Sequence, residues 1–287
     1  MRIGAHVSAA ERLDKCLDRA AELGCEALQI FASAPQSWRP VSHTREAMAE
    51  LRRRCQECGD PPLYVHAIYL INLASADPAH VERSVASLAE ALRFCEATGA
   101  RGAIFHVGSH KGAGFADVLP RVATAMTRAL EEAPGNSLLI VENSAGAGNT
   151  VAGTFAELGA IVRTLSSPRV AVCLDTCHLF ASGYDIRTPA DVERTMAEFD
   201  REVGIEKLVV VHANDAKAPL GSGKDRHENI GLGEIGLDGF RAVMAHPAFR
   251  ETPFILEVPG MDGKSGPDRQ NVEILRRLRD EVLGSAA

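Results

Sequence analysis

The sequence predicts an α/β chain folded as a single (β/α)8 TIM barrel spanning residues 1–287. Three observations carry this expectation. Eight short runs rich in Val, Ile and Leu alternate with longer stretches of helical periodicity, the pattern of buried parallel strands joined by helical crossovers. No linker of Pro, Ser or Gly divides the eight units into two domains. No GxGxxG follows the first run and no GxxxxGK[ST] occurs anywhere, so an open nucleotide-binding sheet lacks its fingerprint.

The elements read in order. RIGAHV (2–7) leads into the amphipathic stretch AAERLDKCLDRAAELG (9–24), where Gly24 is placed to stop a helix, because glycine takes the left-handed cap without a Cβ penalty. EALQIF (26–31) precedes a polar helix holding LRRRCQEC (51–58), whose Arg52–Arg54 run reads as a solvated face. LYVHA (63–67) precedes ERSVASLAEALRFCEATG (82–99), closed by Gly99, and GAIFHV (102–107) precedes FADVLPRVATAMTRALEEA (115–133). SLLIVEN (137–143) is followed by TFAELGAIVRTL (154–165), and VAVCLD (170–175) by PADVERTMAEFDREVG (189–204) with Gly204 at its end. KLVVVHA (207–213) and PFILEVP (253–259) complete the strands, with PDRQNVEILRRLRDEVL (267–283) as the last helix. The segment 213–237 is the longest irregular stretch, and a loop of that length in a compact fold is usually functional.

Composition narrows the class. With 46% hydrophobic and 24% charged residues the chain is neither disordered nor collagen-like. No run reaches the roughly 18 apolar residues of a membrane span, and MRIGAHVSAAERLDK carries charges where a signal peptide needs an apolar core. A cytoplasmic protein with no membrane partner is expected. The cysteines are 16, 25, 55, 58, 95, 173 and 177, an odd set that fits reduced thiols. Cys55 and Cys58 form a CxxC with no second pair at zinc-ribbon spacing, so they read as incidental. A formal charge of −7 excludes a broadly basic protein that coats nucleic acid. No heptad or other interface signal occurs, and a monomer is expected.

In a barrel of this kind, chemistry sits at the C-terminal ends of the strands. The third run ends at His66, the fourth at His106, the fifth at Glu142, the sixth at Asp175, the seventh at His212 and the eighth at Glu257. His178 follows within DTCH, and Asp225 and His227 form a DxH pair in the long loop. One such residue is usually a hydrogen-bonded rim group or a helix cap. Nine on one mouth are another matter, because clustered carboxylates repel unless cations lie among them. Imidazole with carboxylate suits zinc, manganese or iron, and nine groups are enough for more than one ion. His6 ends the first run facing the same mouth and reads as an outer partner of the ligands, while His43, His80, His110 and His246 read as solvated. With no GxSxG elbow and no activated cysteine, a side-chain nucleophile is not expected.

GAHVS (4–8), YLINLA (69–74), HVGSHKG (106–112), VENSAGAG (141–148), CLDTCHLFASGYD (173–185) and KDRHENIGLGEIG (224–236) resemble, in order, the signature segments of the endonuclease IV family of abasic-site DNA repair nucleases. The GxGxxG at 231–236 follows a loop, so it is no dinucleotide site. The resemblance implies a barrel with three Zn2+. His66 and His106 would hold one zinc, and Glu142 would bridge it to a second completed by Asp175, His212 and Glu257. His178, Asp225 and His227 would hold the third. Glu142 and Asp175 would flank the attack on a phosphodiester 5′ to an abasic site, leaving 3′-hydroxyl and 5′-deoxyribose phosphate ends. Trimming of blocked 3′ ends is implied as well. The partner implied is double-stranded DNA, with Tyr69 and Leu70 as wedge residues and Arg226 as a phosphate contact. HANDAK (212–217) and EVPG (257–260) depart from the common HLNDSK and ETPG. Gln36 stands where many members carry an Arg that probes the stack beside the lesion.

The rival class is a metal-dependent sugar isomerase or epimerase of the same barrel type, for which Glu142, Asp175, His212 and Glu257 alone would suffice. His66, His106, His178, Asp225 and His227 have no task in a one-metal isomerase. A non-catalytic metal- or DNA-binding scaffold is a third class, opposed by the completeness of the ligand set.

Overall fold

In the computed structural model, which describes residues 1–261, 263 and 265–284, eight parallel strands close into a barrel. They are β1 (Ile3–His6), β2 (Ala27–Phe31), β3 (Leu63–His66), β4 (Gly102–Phe105), β5 (Leu138–Glu142), β6 (Val170–Asp175), β7 (Leu208–Ala213) and β10 (Phe254–Leu256). β10 pairs with both β7 and β1, so the ring has no open edge. Inside the long loop, β8 (Asp215–Ala216) and β9 (His227–Glu228) form a short antiparallel ladder. The outer layer consists of α1 (Lys15–Leu23), α2 (Arg45–Glu57), α3 (Pro78–Thr98), α4 (Phe115–Glu132), α5 (Phe155–Leu165), α6 (Thr176–Ser182), α7 (Pro189–Glu202), α8 (Gly236–Ala245) and α9 (Arg269–Gly284).

The strands are near-continuously apolar because both faces are covered. Outward residues such as Leu28, Val65, Leu139 and Val211 pack under the helices in the main core. Inward residues form a separate layer of Ala27, Tyr64, Ile104, Ile140, Ala171, Cys173, Val210 and Ile255, a plug across the barrel. With a side-chain period of two, the next inward position on each strand lies one step nearer the C-terminal mouth.

Three expectations need correction, and one helix is added. α1 begins at Lys15, not residue 9. The Arg19 guanidinium donates to the carbonyls of Ser8 (2.7 Å) and Ala10 (3.0 Å), and Glu11 has a left-handed φ of 72°, so the preceding turn is a loop. α3 begins four residues ahead of the amphipathic signal, where the Asp77 carboxylate accepts the Ala79 N–H and Pro78 occupies the first turn. Arg54 is not a solvated side chain: it donates to Asp14 at 2.8 Å and to Asp18 at 2.6 Å, tying α2 to α1. DTCH lies on a short helix, α6, which starts directly off β6. Gly24 and Gly99 do close α1 and α3 in the left-handed conformation. No helix among the described residues is long and apolar enough to cross a membrane.

Candidate metal centre

Two residues beyond the apolar plug, the inward positions turn polar on every strand. Ala27, Tyr64, Ile104, Ile140, Cys173, Val210 and Ile255 are followed at that spacing by Gln29, His66, His106, Glu142, Asp175, His212 and Glu257, with His6 on β1 paired to Gln29. The barrel therefore carries a polar ring directly above its core.

The nine residues of the sequence reading assemble into three groups, the ligand atoms within each lying within 4.8 Å of one another, and Asp175, Cys177 and His227 make a further set that links the second group to the third. His66, His106 and Glu142 form one; Glu142, Asp175, His212 and Glu257 the second; His178, Asp225 and His227 the third. Glu142 joins the first two. One carboxylate oxygen lies 3.3 Å from His66 Nε2 and 3.0 Å from His106 Nε2, the other 3.0 Å from His212 Nδ1 and 3.4 Å from His178 Nδ1. Asp225 lies 3.3 Å from His178 Nε2 and 3.2 Å from His227 Nε2.

The donor set fits metal ions. The buried Nε2 atoms of His178 and His227 have no hydrogen-bond partner despite the nearby carboxylates, an arrangement that is costly unless something else is bound there. Three imidazoles use their other nitrogen on backbone carbonyls: His66 Nδ1 on Ala67 at 2.7 Å, His178 Nδ1 on Asn143 at 2.9 Å and His227 Nδ1 on Glu257 at 3.1 Å. Such bonds turn each Nε2 toward the carboxylates, the usual outer support of a ligating histidine.

Charge reinforces the arrangement. Burial opposes ionisation of Glu142, but the His212 and His106 imidazoles outweigh it and hold the carboxyl well below the usual range. Burial likewise opposes a charged His178 and His227, yet Asp175 and Asp225 push them up to about 10 and about 9. Without metal, protons on imidazoles balance the carboxylates; bound cations would take their place.

Residues the sequence reading missed hold this ring in position. The Asp175 N–H donates to Asn143 Oδ1 at 2.7 Å, and Asn214 Nδ2 donates to Asp175 Oδ2 at 2.7 Å. The Glu257 N–H donates to Asn214 Oδ1 at 2.9 Å. Asp215 is buried and accepts the N–H groups of Gly231 (2.9 Å), Gly233 (3.1 Å) and Ile235 (3.0 Å), so the GxGxxG segment is a cradle for an internal carboxylate. Burial pushes Asp215 up, against those donors. Asn143 and Asn214 could have been found as polar residues abutting ligands in VENS and HAND. Gln29 was detectable as the one amide inside an apolar run.

The remaining candidates lie on the rim. Gln36 and Arg226 are exposed, Tyr69 is half exposed and Leu70 half-buried. The Tyr69 N–H donates to the Pro35 carbonyl at 2.8 Å, joining the loop of Gln36 to that of Tyr69 and Leu70. The Tyr69 ring meets Phe31 and His66 edge-on at 5.5 and 5.3 Å. A cavity of about 450 Å3 opens beside the metal groups, lined by Tyr69, Leu70, Asn72, His106, Ser144 and Asp225 among others.

The histidines expected to be solvated are engaged instead. His80 Nε2 donates to the Leu70 carbonyl at 2.9 Å and its ring meets Trp38 at 5.4 Å. His110 Nδ1 accepts the Gly112 and Gly114 N–H groups, His246 Nδ1 accepts that of Ala248, and His43 packs on Phe94. His6 Nδ1 lies 3.1 Å from Glu257, as an outer partner should. Cys55 and Cys58 are free thiols.

Comparison with known proteins agrees with this geometry. Residues 9–280 match the family model described as a xylose isomerase-like TIM barrel. A probable endonuclease 4 from Methanoculleus marisnigri is 41% identical over 278 residues, covering 96% of this chain and 98% of its own. The crystal structure of endonuclease IV from Thermus thermophilus superposes with a TM-score of 0.87 at 35% identity, covering 98% of this chain and 100% of that one. A D-tagatose 3-epimerase-like protein superposes at 0.77 with 18% identity over all of both chains, which shows a shared fold alone. With three ligand groups on one barrel mouth and end-to-end similarity to these nucleases, the chain belongs to the endonuclease IV family.

Proposed function

We propose that the protein hydrolyses the phosphodiester 5′ to abasic sites in duplex DNA and trims blocked 3′ ends, acting as a cytoplasmic monomer with three Zn2+. The observation that supports this reading most is the assembly of all nine candidate ligands into three groups, two of them sharing Glu142. His66, His106 and Glu142 would hold one ion, Glu142, Asp175, His212 and Glu257 a second, and His178, Asp225 and His227 the third. Bound there, zinc supplies a nucleophile at neutral pH and neutralises charge on the phosphate and the departing oxygen.

The chain's own residues do the rest. Hydrolysis joins a water oxygen to phosphorus and breaks the P–O3′ bond, leaving a 3′-hydroxyl and a 5′-deoxyribose phosphate. Glu142, held ionised by its imidazole neighbours, and Asp175, fixed by Asn143 and Asn214, define where that phosphate sits. Tyr69 and Leu70, braced from beneath, wedge into the stack, and the abasic nucleotide turns out toward the cavity at little cost because it has no base to unpair. Arg226, exposed beside Asp225, contacts a backbone phosphate, and Gln36 replaces a charged probe of the stack with a neutral one.

The test is cleavage of a defined abasic duplex by zinc-stripped and reloaded protein, with metal measured on the same sample. Three zinc ions and 5′ incision are expected. An intact duplex would overturn this reading, and one Mn per chain with sugar isomerisation would assign the barrel to the rival class.

A further inference from the structure

Of the eight strands, seven bring a candidate ligand or its outer partner His6 to the polar ring; β2 alone brings an amide, Gln29, and it is completely buried. Its contacts leave little freedom. Nε2 lies 2.6 Å from Glu257 Oε1 and 2.9 Å from His6 Nδ1, and Oε1 lies 2.8 Å from His212 Nε2.

The orientation follows by elimination. The ionised Glu257 carboxylate accepts only, so the Gln29 NH2 must face it and the Gln29 carbonyl must face His212. A carbonyl accepts only, so His212 must carry its proton on Nε2. Its Nδ1 then faces Glu142 (3.0 Å) and Glu257 (3.4 Å), inside the second ligand group, and is the nitrogen that would give up its proton to a metal. His66, His178 and His227 each bond a backbone carbonyl through Nδ1 and present Nε2. His212 is turned the other way, and what turns it is a side chain.

We infer that Gln29 is a positioning residue: one buried amide fixes the tautomer of His212, the rotamer of Glu257 and the orientation of His6, and so preforms the second metal group. This rests on the metal reading above, but not on the DNA substrate. The Gln29 amide nitrogen also lies 2.9 Å from His6 Nδ1, which is itself 3.1 Å from Glu257 Oε1, so amide, imidazole and carboxylate meet at one point. The amide thus donates to Glu257 and accepts from His212, as a fully buried polar group requires.

The experiment reads the tautomer and the metal separately from turnover. In zinc-loaded wild-type protein labelled with 15N-histidine, His212, identified by the signal lost in His212→Gln, is expected to keep a proton on Nε2 and show a metal-shifted Nδ1. A protonated Nδ1 overturns the proposal. Gln29→Leu is expected to weaken one of the three zinc ions by about 10–100-fold in chelator competition, the range for outer partners of metal ligands. It should lower kcat with KM for abasic duplex nearly unchanged. Gln29→Glu keeps the acceptor for His212 but sets an oxygen against Glu257, so it should retain the Nε2–H tautomer and still lose zinc affinity. Should Gln29→Leu fail to fold, the wild-type and Gln29→Glu spectra and zinc titrations decide alone. Unchanged zinc affinity in the variants overturns the proposal. If the protein fails to cut abasic DNA yet these readouts hold, the substrate assignment falls and the role of Gln29 stands.

Discussion

The Gly233 N–H donates to the Asp215 carboxylate at 3.1 Å, and a Cβ on Gly233 would stand 2.5 Å from that carboxylate and 2.5 Å from the Ala216 carbonyl. The glycine is required by close approach. Backbone, carboxylate and the short β8–β9 ladder together fasten the loop that delivers Asp225 and His227 to the third metal group. Gly233→Ala is expected to push the loop off its anchor, lowering bound zinc from three to two per chain by metal analysis. Asp215→Ala leaves the buried N–H of Ile235 and the part-buried N–H groups of Gly231 and Gly233 without their acceptor, at up to about 1–3 kcal/mol each, so its thermal midpoint should fall further than that of Gly233→Ala. Three tightly held zincs in both variants would show that the loop is positioned by other contacts.

Glu142 is the meeting point of two ligand groups and contacts four imidazoles. Glu142→Gln keeps the shape and removes the charge. Turnover on an abasic duplex should fall by at least about two orders of magnitude, the scale of losing one preorganised electrostatic group. Kd for the same duplex should change far less, because Tyr69, Leu70 and Arg226 lie outside the ring. Steady-state kinetics alongside equilibrium binding separates the two.

The ring was legible in the sequence because a strand has a period of two and the barrel interior is packed. Once apolar runs end in His, Glu or Asp, those residues can only face the mouth. Gln29 escaped because it sits within a run that continues to Ile30 and Phe31, so a search of strand ends passes over it. Asp215 escaped for a different reason: its partners are backbone N–H groups, which have no sequence signature beyond the glycines that admit them. Arg54 looked solvated because helical periodicity reports a face and not the neighbour that covers it, and His80 because it lies ahead of the amphipathic stretch that begins at residue 82. Asp14, Asp18 and the Leu70 carbonyl come from other segments.

The raised pKa values give a pH dependence of definite sign. His178 and His227 titrate near 10 and 9 in the metal-free fold against about 6.5 unfolded. Groups raised on folding contribute stability that is complete below pH 6.5 and lost as pH rises through 9 to 10. Zinc needs these imidazoles neutral, so its uptake releases protons and its affinity rises over the same window. Between pH 6.5 and 9 the thermal midpoint of zinc-free protein should fall, and the gap between zinc-loaded and zinc-free protein should widen. Scanning calorimetry at several pH values checks both, and a gap that narrows with pH would count against these ligands.

The Tyr69–Leu70 loop is braced by His80, which bonds the Leu70 carbonyl and packs edge-on against Trp38 from the Gln36 loop. Arg83 lies over the Trp38 ring at 5.2 Å. If this loop wedges into DNA as proposed, Tyr69→Ala should weaken abasic-duplex binding by about 1–3 kcal/mol, as for other base–aromatic contacts. His80→Leu keeps Tyr69 but frees the loop, so a smaller loss of the same kind is expected. Zinc content should be unchanged in both. Binding isotherms with metal analysis distinguish this from damage to the ring.

Arg226 tests how an acidic chain meets DNA. The formal charge is −7, so attraction must come from local cations and the metals, which with three Zn2+ add six positive charges at the mouth. Arg226 is exposed, and its guanidinium donates within the molecule to the adjacent Asp225 carbonyl, at 2.7 Å, leaving its other donors outward. A single phosphate contact contributes about 0.9 to the slope of log K against log salt on duplex DNA. Arg226→Ala should therefore reduce that slope by about one unit, weakening abasic and undamaged duplexes alike at low salt. The preference for the abasic site should survive, since a phosphate contact fixes register and carries no lesion information. A variant with an unchanged slope but a lost preference would mean that Arg226 reads the lesion, taking over the task that Gln36 has no charge to perform.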